Sequence, residues 1–146
     1  MGAPVTETNL IVAWEDKVDE ILSSASPDPD KAKQMIEMVP KVSADGQEEL
    51  ARHISNLLPD QDYGLIHTYL TNAALPEEVL DILLGDALNR PNSLKLPALL
   101  AIARTPQHPK SGEAKDFLEL FLEEDYGDDW GKWQSSMEQW LKDNPD

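Results

Sequence analysis

Residues 96–103, Leu96-Pro97-Ala98-Leu99-Leu100-Ala101-Ile102-Ala103, carry only apolar side chains and decide the fold class. Leucine mixed with small alanine side chains is typical of an inner helix that neighbouring helices cover. We expect this helix to begin at Asn92 or Ser93 and to place Pro97 in its first turn, where a proline does no harm.

After residue 8, apolar residues recur at helical spacing in one block after another. The stripes are Trp14, Val18, Ile21 and Leu22; Ala32, Met35, Ile36 and Val39; Leu50, Ile54, Leu57 and Leu58; Leu65, Ile66, Tyr69 and Leu70; Val79, Leu80, Leu83, Leu84 and Leu88; Leu96, Leu99, Leu100 and Ala103; Ala114, Phe117, Leu118, Phe121 and Leu122; and Trp130, Trp133, Met137, Trp140 and Leu141. β-Branched residues never cluster with period two, and no Asn-Gly or Asp-Gly turn joins such runs. The sequence therefore predicts an all-α fold of short helices.

Capping and breaking residues mark the predicted helix ends. The boundary residues are Thr8 or Asn9 for the first helix, Asp28 as cap with Pro29 at the first helical position of the second, Ser43 or Asp45 for the third, Asp60 for the fourth, Pro76 for the fifth, Gly127 as the C′ residue of the seventh, and Asp128 or Asp129 for the eighth. Short turns between short helices favour antiparallel neighbours.

At 146 residues, the chain has the length of one domain. Residues 1–8 carry no periodic apolar signal, so we expect a flexible N-terminus or a vector-derived remnant there. Residues 9–142 are predicted to form a single helical domain, and residues 143–146 a frayed C-terminus.

The chain is strongly acidic, with 28 Asp and Glu residues against 12 Lys and Arg, a formal net charge of −16. A surface of this sign repels phosphate backbones and anionic lipid head groups, so we expect no nucleic-acid partner. Basic proteins or cations are the partners that such a field attracts. The alternative interpretation is that the charge only keeps a small domain soluble.

The absence of cysteine excludes disulfides, thiolate metal sites and a cysteine nucleophile. No apolar run approaches the ~18 residues of a membrane span, and no basic-then-apolar signal opens the chain. We therefore expect no membrane insertion within this chain, while the compartment stays open between cytoplasm and periplasm.

Paired in order, the helices give about four hairpins of roughly 30–40 residues, the size of a helical-repeat unit. The closest likeness to known repeats lies in residues 94–142, where a His108-Pro109 loop joins two apolar helices and Asp125-Tyr126-Gly127-Asp128-Asp129-Trp130 precedes a tryptophan-bearing last helix. In these features the chain resembles HEAT-like α-α superhelical repeat proteins. The resemblance implies short antiparallel hairpins stacked as a right-handed superhelix, with a scaffold or protein-binding role. An irregular helical bundle is the alternative, because residues 9–75 depart most from the pattern.

No constellation of residues in the sequence predicts catalysis or metal binding. The three histidines lack the spacing of a zinc site, and no serine has the glycine-framed turn of a hydrolase nucleophile. The densest acidic patch, Glu123 to Asp129, lacks the EF-hand pattern. We therefore expect neither an enzyme nor a bound cofactor or metal ion.

Three tryptophans share one stripe of the last predicted helix. Their spacing favours contact with the core, but a ring that stays partly exposed would mark an interface, since tryptophan is a common anchor. The predicted interaction surface consists of Trp130, Trp133, Trp140, Asp125, Asp128 and Asp129.

The sequence thus favours a non-catalytic protein–protein interaction or scaffold module with an acidic surface. The alternative is a structural or envelope-associated soluble domain cut from a longer anchored protein. Neither the identity of the partner nor the oligomeric state follows from the residues.

Overall fold

A computed structural model describes residues 13–146, so the predictions for the flexible segment 1–8 and for the cap at Thr8 or Asn9 lie outside the described residues. Across the described residues the secondary structure is helical with no strand, which confirms the all-α prediction. The α-helices are α1 (Trp14–Ser23), α2 (Asp28–Met38), α3 (Ala44–Leu57), α4 (His67–Leu70), α5 (Glu77–Leu88), α6 (Asn92–Ala103), α7 (Ser111–Leu122) and α8 (Trp130–Asp143). Two 3₁₀ helices, Val39–Lys41 and Asp60–Ile66, follow α2 and precede α4.

Several helices begin at the capping residues that the sequence predicts. The Ser43 side chain accepts a hydrogen bond from the Gly46 N–H at 3.5 Å, and so caps α3. The Asp129 carboxylate accepts one from the Lys132 N–H at 3.1 Å, and so caps α8. Pro76 was expected at the first helical position of α5, but it is the residue before the helix. The acidic first turn that follows it interacts favourably with the positive end of the helix dipole, as expected.

Two boundary predictions in the first half of the chain are wrong. Asp28 is the first residue of α2 rather than its cap, because Pro27 takes the extended cap conformation. Asp60 begins the 3₁₀ helix instead of capping a regular helix, and α4 is left with only 4 residues. Aspartate and glycine have low helix propensity, so Asp60, Asp62 and Gly64 explain why this segment stays 3₁₀.

Two predictions in the second half also need correction. Pro97 is the sixth residue of α6, beyond the first turn, so the carbonyl of Ser93 receives no hydrogen bond from it. Gly127 is not the C′ residue of α7; Glu123 takes the left-handed position after the helix, with φ 59°. Gly127 also has a positive φ, of 60°, but within the loop before α8.

The chain divides into two compact units between Leu65 and Ile66. In the described part of the first unit, α2 packs against α3, and α1 contacts both helices. Ala32, Met35 and Leu50 have no exposed surface and form the centre of this core. A single domain over residues 9–142 stays a prediction.

A glycine sets the approach of α3 to its neighbours in the first unit. A Cβ atom on Gly46 would lie 2.9 Å from the Cβ of Val42 and 3.2 Å from Cδ2 of Trp14. The approach to Val42 is closer than real Cβ atoms come to other atoms, so only a residue without a side chain fits here without a shift.

The second unit is built around α6, which contacts α4, α5, α7 and α8. Its buried residues form one broad face: Leu96, Ala98, Leu99, Leu100, Ile102 and Ala103. Pro97 and Arg104 lie on the opposite, exposed side. A helix with so broad an apolar face requires cover from several neighbours, which the other helices of the unit supply. Neither α6 nor any other helix in residues 13–146 combines the length and the apolarity that a membrane crossing requires.

Arg90 and His108 are buried polar side chains of the second unit, and the sequence analysis predicted neither. The Arg90 guanidinium donates to one carboxylate oxygen of Asp86 from Nε at 3.2 Å and from Nη2 at 3.0 Å. The Lys110 N–H donates to Nδ1 of His108 at 3.0 Å, so Nε2 carries the proton and donates to the Leu70 carbonyl at 2.9 Å. His108 therefore ties the loop after α6 to the end of α4.

The last residues, predicted to fray, form hydrogen bonds with the start of α6. The Asp146 carboxylate accepts from the Ser93 N–H at 2.7 Å and from the Ser93 hydroxyl, and these bonds lower the pKa of Asp146. The Asn144 carbonyl accepts from the Asn92 amide at 3.2 Å. Fraying in solution stays a prediction.

Gly46→Ala is expected to lower the free energy of unfolding by about 1 kcal/mol or more, because the added methyl group overpacks the contact with Val42. Gly85→Ala is the matched control within α5, where nothing lies within 4 Å of the added Cβ atom. It should raise the free energy of unfolding by up to ~1 kcal/mol through helix propensity. Urea denaturation measures both, and effects of the same sign would contradict the role assigned to Gly46.

Candidate interaction surface

Trp133 belongs to the core rather than to the surface. Its side chain has no exposed area, and Met137, one turn later, is also buried. The indole N–H donates to the Gly127 carbonyl at 2.9 Å, and the Tyr126 ring stands edge-on with a centroid distance of 5.1 Å. Trp133 therefore anchors the loop before α8 to the helix, and an interface role at this position would be indirect.

Trp130 lies beside Trp133 and is half-buried. The two ring centroids are 6.4 Å apart. On the other side, the Lys115 ammonium of α7 lies 5.5 Å from the Trp130 centroid, within range of a cation–π contact. The same ammonium lies 3.6 Å from the carboxylate of Asp128, so one cation links an aromatic ring and an acid of the predicted surface.

Trp140, also half-buried, has different partners from the other two tryptophans. Its ring meets Phe121 edge-on at a centroid distance of 5.9 Å. The Lys95 ammonium lies 4.7 Å from the Phe121 centroid. An open groove of 770 Å³ along the outer side of α8 includes Trp140 and Tyr126 in its lining, so part of each ring faces solvent.

The three predicted acids are exposed, and each has a local structural role. Asp125 accepts a hydrogen bond from the Gly127 N–H at 2.8 Å, and Asp129 caps α8. Asp128 is 98% exposed and pairs with the lysine of α7 described above. The acids are therefore neighbours in one loop that do not converge on a single point.

The most exposed large apolar side chain in residues 13–146 is Leu120, at 71%. It lies on the outer side of α7, where a groove of 670 Å³ is otherwise lined only by acids: Asp116, Glu119, Glu123, Glu124 and Asp125. The prediction included Asp125 but missed Leu120. Leu120 is absent from the apolar stripe of its helix, and a large apolar residue off the stripe is the signal that identifies it.

A second feature missed by the sequence prediction is Lys110, a mostly buried cation among three carboxylates. Its ammonium lies 3.3 Å from Asp81, 3.5 Å from Glu77 and 3.7 Å from Glu113. The hydrogen bond to Asp81 raises the pKa of Lys110 above its ordinary value of 10.5, burial opposes this, and the three negative charges raise it further. The cluster joins the start of α7 to the first turns of α5.

Comparison with models of protein families, with curated proteins and with solved structures found no significant match to this chain. Function is therefore inferred from geometry alone. In the part of the chain that the structure describes, no three His, Asp or Glu side chains are grouped so as to hold a metal ion.

Trp133→Ala is expected to lower the free energy of unfolding by ~3 kcal/mol or more, because it leaves a large cavity in the core and removes the indole bond to Gly127. Trp140→Ala, at a half-buried position on the same helix, should cost about 1–2 kcal/mol. Chemical denaturation followed by far-UV circular dichroism measures both. A change at Trp133 within ~0.5 kcal/mol would place that ring outside the core.

Lys110→Gln is expected to lower the free energy of unfolding by about 1 kcal/mol near neutral pH, because three carboxylates lose their common cation. A raised pKa in the folded state means that the contribution of Lys110 is complete below pH 10.5 and disappears as the pH rises through the folded-state pKa. The two proteins should therefore converge in stability above pH 10.5. The control is Lys33→Gln: the Lys33 side chain is 50% exposed and has a single carboxylate partner, Asp62, at 3.9 Å, so the change should have little effect at any pH. A pH-independent difference for Lys110→Gln would refute the electrostatic origin.

Proposed function

We propose that this chain is a non-catalytic protein–protein interaction module whose acidic surface binds a basic protein partner. The observation that carries the proposal is the outer side of α7, where Leu120 stands exposed among acids. Toward α8 the surface continues with the acids Asp125 and Asp128 and with the half-buried ring of Trp130.

The exposure of Leu120 supports a docking role. Burying a whole leucine side chain stabilises a folded or bound state by roughly 2 kcal/mol, and Leu120 realises little of this in the isolated chain. Single exposed leucines are common on protein surfaces. Leu120 differs in that it stands in a groove whose other lining residues are all acidic.

The charges around Leu120 support a basic partner. None of the five carboxylates that line its groove pairs with a lysine or arginine of residues 13–146. Carboxylates without cations repel each other and attract a basic surface, and a net charge of −16 adds long-range steering. A partner that presents an apolar side chain flanked by lysine or arginine would match this face of α7.

The contacts of two histidines support a non-catalytic role. Both ring nitrogens of His108 are engaged with backbone groups. The Nε2 atom of His53 lies 2.6 Å from the Glu49 carboxylate. Each of these two histidines thus has a structural partner within residues 13–146, and neither is placed beside a nucleophile.

The HEAT-like superhelix belongs to the proposal as one of two arrangements. Packing of α2 on α3 and of α6 on α7 supports consecutive helical hairpins. Two features argue against a regular stack of hairpins. Helix α4 is a single turn, and α6 contacts four helices of its unit. This central position favours the irregular bundle for residues 66–146.

The proposal is tested by affinity capture from a lysate of the source cells, with quantitative mass spectrometry of the retained proteins. Leu120→Ser should reduce the retained amount of a true partner about tenfold, which is the loss of ~1.4 kcal/mol of binding free energy. Glu119→Lys combined with Glu123→Lys should reduce it further, because a basic partner then meets like charges. Raising the salt concentration should weaken binding of the wild type.

The matched control is Glu138→Lys, a charge reversal at an exposed position on α8 outside the Leu120 groove. It should leave capture of the partner nearly unchanged. A protein that is lost with Glu138→Lys as well as with the double reversal, but is retained by Leu120→Ser, follows the net charge alone. If no retained protein depends on Leu120, the proposed surface is wrong.

A further inference from the structure

We infer that a groove between α1 and α3 in the first unit is a binding site for a guanidinium group carried on an aliphatic chain. The groove has a volume of 320 Å³ and lies wholly within the described part of the first unit. This groove shares no residue with the Leu120 groove, so its test and the test of the proposed function are independent.

The floor of the groove is apolar and aromatic. Trp14, Val18 and Leu22 of α1 line it; Val18 is 3% exposed, and the other two are half-buried. One side of the indole is fixed against the start of α3 at Gly46. An indole face is the best protein surface for a cation, and arginine's planar guanidinium stacks on it while its methylene groups cover apolar neighbours.

The rim of the groove is acidic from both helices. Glu15 and Asp19 of α1 and Glu49 of α3 are part of the lining, which contains no lysine or arginine. Neither Glu15 nor Asp19 pairs with a basic side chain of residues 13–146, and Glu49 pairs with His53 at 2.6 Å. Carboxylates gathered around one groove repel each other, and a bound cation relieves that repulsion.

The arrangement favours an extended organic cation over a metal ion. In the described residues, no three carboxylates or histidines are grouped closely enough to coordinate a metal, although three carboxylates and one imidazole line this groove. Its volume lies at the lower end of the range for ligand sites, roughly 300–1,000 Å³. A planar group with five N–H donors can reach carboxylates that are spread along a rim, and a monatomic ion cannot.

The test is a titration of the ¹⁵N-labelled full chain followed by two-dimensional NMR. The probes are agmatine, the peptide acetyl-Gly-Arg-Gly-amide and its neutral citrulline analogue. We expect saturable shifts of the Trp14 indole N–H, assigned with Trp14→Phe, and of the Leu22 and His53 amides with both guanidinium probes. The citrulline peptide should produce none. Tighter binding of the arginine peptide would identify a protein side chain as the source, and tighter binding of agmatine a free small molecule.

Glu15→Gln combined with Glu49→Gln should weaken the affinity for agmatine at least tenfold. Glu20→Gln, a neutralisation on α1 outside the groove, should change it less than twofold. Far-UV circular dichroism verifies that each variant is folded. Equal shifts with the citrulline peptide, equal weakening by Glu20→Gln, or no saturable shift in the folded wild type would each overturn the inference.

Discussion

The second unit depends on the burial of the broad apolar face of α6 by the four helices that contact it. A helix with so few polar side chains is stable in water only when other helices cover most of its surface. The neighbouring helices are amphipathic: α5, α7 and α8 bury one face and keep most of their charged residues on the other. Polar contacts also join these helices at their ends: His108 bonds to the carbonyl of Leu70, and Lys110 pairs with the first turns of α5.

The scarcity of cations shapes the surface. With 12 basic residues against 28 acids, most carboxylates have no cation available. Arg90 and Lys110 are used almost wholly for internal pairs, and Lys95 and Lys115 lie over aromatic rings. The acids left over collect outside, around Leu120 in the second unit and around the α1–α3 groove in the first. Both surfaces follow from the same imbalance of charge, which is why we propose positively charged partners for both.

Much of the fold was predictable because local chemistry determines it. Helical periodicity located the α-helices of residues 13–146, although α4 is much shorter than predicted. Ser43 and Asp129 were recognisable as caps, and the spacing of Trp133 and Met137 indicated a buried stripe. The errors arose where local signals compete. At residues 60–66, aspartate and glycine prevented the regular helix that the apolar spacing predicted, and Glu123 took a backbone conformation expected of a glycine.

The candidate surface was only partly predictable, for a different reason. Asp125, Asp128, Asp129 and the tryptophans were found from composition, but their partners depend on which helices meet. His108 bonds to a carbonyl 38 residues away, and the burial of Arg90 depends on the helices that cover it. The position of Leu120 off the apolar stripe could be recognised from the sequence. The five acids that line the same groove could not, because their arrangement depends on the folded structure.

The bond from the Trp133 indole to the Gly127 carbonyl has a consequence for the thermodynamics of association. A loop rich in aspartate and glycine would ordinarily lose much conformational entropy when a partner orders it. Here the loop between α7 and α8 is already ordered, since the buried indole, the Tyr126 ring and the Asp125 turn restrain its backbone. The acids at 125 and 128 are therefore preorganised, and a partner that meets them loses less binding free energy to ordering than it would on a mobile acidic tail.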